Sequence, residues 1–96
     1  MGTSQLTIYK VSGNSMNPLL SDGDTISVLP APSYKIGDIV VATHPIQADL
    51  TIVKRVESIT SDGRLRLRGA NPAESTDSFG LVSQNKIIGK MIAKLD

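Results

Sequence analysis

Short runs of alternating apolar and polar residues, separated by dense clusters of glycine, proline, serine and aspartate, dominate this chain. Leu6-Thr7-Ile8-Tyr9-Lys10-Val11 has the two-residue period of a strand, as does Thr25-Ile26-Ser27-Val28-Leu29, which is closed by Pro30-Ala31-Pro32. A third run, Asp38-Ile39-Val40-Val41-Ala42-Thr43, stops at His44-Pro45. The fourth covers residues 50 to 60 and is turned by Ser61-Asp62-Gly63 into Arg64-Leu65-Arg66-Leu67-Arg68, the pattern of a hairpin. The last extends from Lys86 to Leu95. Only Met16 to Leu20 invites a helical turn, with Ser15 as its N-cap and Pro18 in the first turn, where proline is tolerated. About six strands and hardly any helix predict a mainly β domain. A small coiled sheet or partly open barrel is the natural closure for so modest a core. No internal repeat or low-complexity segment interrupts the pattern, and residues 1–96 are read as a single domain.

One position breaks the alternation in an informative way. In a strand over residues 50 to 58, Leu50, Ile52, Lys54, Val56 and Ser58 share one face, while Thr51, Val53, Arg55 and Glu57 share the other. Lys54 therefore lies on the apolar face, and burial disfavours the charged form of an amine relative to the neutral base. About forty residues earlier, Gly13-Asn14-Ser15-Met16 is followed by Pro18 and then by Asp22-Gly23-Asp24. A serine hydroxyl is a poor nucleophile until a neighbour takes its proton, and a neutral lysine can do so. Taken singly, Ser15 has the surroundings of an ordinary turn residue, and a strand lysine is usually an edge residue with its ammonium in water. The combination is more specific than either.

Composition narrows the alternatives. Ten basic residues stand against nine acidic ones, so a net charge of +1 makes no electrostatic case for nucleic acid or an anionic membrane. The Arg64–Arg68 run reads as a half-buried strand with a solvated basic face, since only three aromatics exist to stack on bases. The absence of cysteine excludes disulfides, thiolate metal sites and a cysteine nucleophile. The single His44 and the scattered carboxylates lack the spacing of a zinc site, and no cofactor is expected. No run approaches the roughly 18 apolar residues of a membrane span, and Met1-Gly2-Thr3-Ser4-Gln5 has no signal-segment character. The expected setting is cytoplasmic.

Val11-Ser12-Gly13-Asn14-Ser15-Met16-Asn17-Pro18-Leu19-Leu20, Asp22-Gly23-Asp24, Lys35-Ile36-Gly37-Asp38-Ile39-Val40-Val41, Ile52-Val53-Lys54-Arg55-Val56, Gly69-Ala70-Asn71-Pro72 and Ser75-Thr76-Asp77-Ser78 follow one another along the chain. This order resembles the boxes of the type I signal peptidases and their serine/lysine relatives over residues 11 to 92. The Asn-Pro and Ser-Thr-Asp-Ser pieces look most like the short, membrane-free members that mature nickel-type superoxide dismutase. The resemblance implies that Ser15 attacks the scissile carbonyl and Lys54 accepts its proton. It further implies that the Ser75 hydroxyl holds the lysine amine, that Asp77 is a structural carboxylate nearby, and that Met16 touches substrate. The Ser15 backbone N–H would face the developing oxyanion. Gly13 occupies the place where several relatives carry a serine donor, which implies a weaker or purely backbone oxyanion site. Two departures stand out: Ala70 replaces an aspartate of the usual Gly-Asp-Asn, and Phe79 replaces the arginine expected to pair with Asp77.

Three functions compete on this reading. The first is an endopeptidase that removes an N-terminal segment from a precursor protein, by resemblance that of nickel-type superoxide dismutase. The second is a self-cleaving regulator similar to the SOS repressors and mutagenesis proteins. Fourteen residues precede Ser15, with no Ala-Gly or Cys-Gly among them, so self-cleavage in cis is hard to arrange. The third is a non-enzymatic β binding module in which both residues are structural. A triad built on His44 is a weaker enzymatic alternative, and a rate following a group near about pH 6.5 would point to it.

Overall fold

A computed structural model of the chain describes residues 6–71 and 80–95. Seven strands form one sheet: β1 (Thr7–Lys10), β2 (Thr25–Leu29), β3 (Ile39–Thr43), β4 (Thr51–Ile59), β5 (Leu65–Arg68), β6 (Leu81–Val82) and β7 (Ile87–Lys94). Their spatial order is β1-β2-β7-β3-β4-β5-β6, and every pairing is antiparallel. The mainly β expectation is met by this open sheet. The short β6 has no alternating run to betray it, being two residues set by pairing with Leu65 and Arg66 of β5. A 3-10 turn over Gln84–Lys86 leads into β7.

Because β7 inserts between β2 and β3, the last strand joins the two hairpin halves of the sheet. Its Gly89 sits so close to β2 that an added Cβ would stand 2.7 Å from both the Leu29 carbonyl oxygen and Val28 Cγ1. Central β3 is apolar on both sides, as strands covered on both faces are. Val40 and Ala42 pack in one cluster with Tyr34, Val56, Leu65, Leu67 and Val82, whereas Val41 packs in another with Val11, Met16, Leu20, Ile26 and Val28.

The β4 alternation is as read from the sequence up to its bulge. Lys54 and Val56 are buried, and Arg55 and Glu57 are exposed. The register then shifts between Val56 and Ser58, leaving Glu57 as the extra residue opposite β5. In β5, Leu65 and Leu67 are buried and Arg66 and Arg68 exposed, the half-buried strand expected of that run.

Candidate active site

The segment between β1 and β2 is pinned to the second cluster by three buried side chains, Val11, Met16 and Leu20, and lifts the residues between them towards the surface. Its base is closed by backbone bonds: Val11 N–H donates to the Asp24 carbonyl (2.7 Å) and Gly23 N–H to the Val11 carbonyl (2.8 Å). The acidic pair completes the clasp. Gly13 N–H donates to Asp22 Oδ1 (2.7 Å) and Ser21 N–H to Asp24 Oδ2 (2.8 Å). The Ser21 N–H, and after it the Lys94 ammonium 3.4 Å away, holds the Asp24 carboxyl below the usual carboxylate range. Gly13 takes φ +84°, a left-handed conformation that a side chain would oppose.

The helical turn expected at Met16 to Leu20 is a succession of turns and not a helix. Asn17 N–H donates to the Asn14 carbonyl (3.1 Å), Leu20 N–H donates to the Met16 carbonyl (2.9 Å), and the Asn17–Pro18 bond is cis. Pro18 thus shapes a turn, and the Ser15 side chain caps nothing among the described residues. Met16 is only 1 % exposed. It anchors the loop in the core and shows the cleft no more than its edge.

A second anchor comes from the chain leaving β5. Asn71 N–H donates to the Ser15 carbonyl (2.8 Å), and Asn71 Nδ2 donates to the Asn14 carbonyl (2.9 Å). A Cβ on Gly69 would stand 2.6 Å from the Ser15 carbonyl oxygen. Gly69 and Asn71 are therefore positioning residues of the Ser15 loop, a role that motif order alone did not assign. Both are retained in the Gly69-Ala70-Asn71 stretch, and Ala70, where it departs from the usual pattern, packs against the Met16 cluster.

Ser15 and Lys54 line the same cleft, of about 370 Å³. One wall is Tyr9 to Ser12, at the end of β1; the other is Leu50 to Lys54, at the start of β4. Met16, next to Ser15, and Val53, next to Lys54, belong to one cluster, which brings the Ser15 loop up to β4. Lys54 itself is 6 % exposed and lies opposite Val40. β5 pairs with β4 only from Arg55 onward, so among the described residues no strand lies along that edge of Thr51–Val53 beside the cleft.

Gly13 is exposed, and its amide is engaged by Asp22, so its contribution is to the shape of the loop. The Ser15 N–H donates to no group among the described residues. His44 is not among the residues lining the cleft, and its Nδ1 accepts the N–H groups of Ile46 (3.1 Å) and Gln47 (3.0 Å). Ser75 and Asp77 lie outside the described residues, as does Phe79. No helix among the described residues is long and apolar enough to cross a membrane. The model of one protein family, described as Peptidase S24-like, matches residues 1–92. No curated protein matches the chain.

Proposed function

The chain belongs to the Peptidase S24-like family, and from that premise we propose that it is a serine endopeptidase working through a Ser15–Lys54 dyad. The observation that carries the proposal is a half-buried serine and a buried lysine lining one cleft, with a strand edge beside them that no other strand pairs among the described residues. An extended peptide would add along that edge by main-chain hydrogen bonds, bringing a carbonyl carbon to Ser15. The Ser15 Oγ attacks as its proton passes to the Lys54 amine, and the Ser15 N–H receives the oxyanion. The lysine returns the proton to the departing amine, and water, deprotonated in turn by Lys54, releases the acyl group. By resemblance, Ser75 orients the lysine amine, Asp77 is a structural carboxylate nearby, and a precursor of nickel-type superoxide dismutase is the substrate, met in the cytoplasm.

The test is the intact mass of that precursor after incubation with the wild type, Ser15→Ala and Lys54→Ala. Removal of a defined N-terminal segment is expected from the wild type alone. Ser15→Ala should drop to background, and Lys54→Ala should lose about 10²- to 10⁴-fold, the worth of a general base. Equal cutting by the variants would remove the dyad, an uncut precursor would remove that substrate, and a shortened mass for the enzyme itself would favour self-cleavage.

A further inference from the structure

The chain has six lysines spread along its length but four arginines, and all four lie on the β4–β5 hairpin: Arg55, Arg64, Arg66 and Arg68. All four are exposed. The buried side of the hairpin accounts for Leu65 and Leu67 but does not explain why the outward side uses arginine where the rest of the chain uses lysine. Guanidinium differs from ammonium in presenting a planar fork that fits a carboxylate or phosphate.

Carboxylates within the hairpin hold two of the four: Asp62 pairs with Arg64 (3.0 Å) and Glu57, the bulged residue, pairs with Arg68 (2.8 Å). Arg55 stands directly opposite Arg68 in the register and has no ion pair among the described residues. Like charges directly opposed across strands repel, and an anion between them relieves the repulsion. These side chains also border a groove of about 260 Å³. Its far wall is the turn from Lys35 to Asp38, fastened to β4 by Gly37 N–H to the Val56 carbonyl (2.9 Å) and Val56 N–H to the Asp38 carbonyl (2.8 Å). That turn holds Ile36 at the groove, 67 % exposed.

We propose that this groove, on the reverse of the strand that carries Lys54, docks a segment of a protein partner bearing a carboxylate next to an apolar side chain. Arg55 and Arg68 would grip the carboxylate, and Ile36 would cover the apolar neighbour. The charge balance selects this occupant. With Glu57 counted, the described residues of the groove carry one net positive charge, which suits a single carboxylate. A track of phosphates would meet the Glu57 carboxylate, and among the described residues the groove offers no aromatic side chain for a base to stack on. The proposal is independent of the peptidase reading.

The experiment is fluorescence anisotropy of a labelled peptide of alternating glutamate and leucine against the full chain carrying Ser15→Ala, which keeps cleavage out of the measurement. Saturable binding that weakens with salt is expected. Arg55→Glu and Ile36→Ser should each weaken it by about tenfold or more, and a peptide with lysine for glutamate should not bind. Both substitutions are at exposed positions, and circular dichroism would confirm that the variants fold. Absence of binding by the unaltered groove, equal binding by Arg55→Glu, or tighter binding of a single-stranded oligonucleotide or of anionic phospholipid vesicles would each overturn the proposal.

Discussion

At Ser15, position is set by main-chain contacts more than by its own side chain. Its carbonyl accepts from Asn71, and Gly69 presses against the same oxygen so closely that no side chain fits between. Gly69→Ala should therefore displace the serine without altering any group that does chemistry. We expect about 1–3 kcal/mol of lost stability from the overlap. The loss of cleavage rate should be larger, about a hundredfold, because small misplacements of a nucleophile are costly. Thermal denaturation alongside a cleavage assay separates the two, and a normal rate would contradict the positioning role. Lys54 was legible from alternation alone, since one polar residue in an apolar face needs only a two-residue period to be noticed. Gly69 and Asn71 were legible only as members of a motif, because their partner lies more than fifty residues away in sequence and the contact is to backbone, which carries no residue signature.

Among the elements, the loop from Val11 to Asp24 is tied to the last strand as well as to its own base. Asp24 accepts from Ser21 N–H within the loop and faces Lys94 at the end of β7. Its carboxyl is held below the usual range in the folded state, so its contribution is fully present above the ordinary aspartate range and is lost as pH falls through the lower folded value. Melting temperature measured against pH should show the wild type losing stability on the acid side through this group. Asp24→Asn, which cannot titrate, should have a shallower acid limb, and coincident limbs would exclude the linkage. Six of the seven strands are recognisable in sequence because each alternates or carries a run of β-branched residues. The two-residue β6 has no such run, and Met16 to Leu20 has the spacing of a helix but is governed by the turns around Pro18.

Across the whole molecule, β4 divides two surfaces. Lys54 faces the cleft on one side, and Arg55 faces the arginine-lined groove on the other. The strand order was not legible, since β7 enters between β2 and β3 from the far end of the chain and no local pattern encodes that insertion. The hairpin of β4 and β5 also has a property that belongs to its shape. Lys54 sits near its open end on the outgoing strand, and Gly69 and Asn71, which hold Ser15, follow directly on the returning one. The closed end, Ser61-Asp62-Gly63, is remote from both. Lengthening that turn by two glycines should leave the cleavage rate within about twofold of the parent, since longer surface loops cost little. A single residue inserted between Leu67 and Gly69 should abolish cleavage. In the language of machine tolerances, the gap between nucleophile and base is gauged by one caliper, whose jaws are the two ends of a single hairpin. The other strands enter that dimension only through the seat they give Met16 and through Asp24, so variation that spares that seat leaves the gap true.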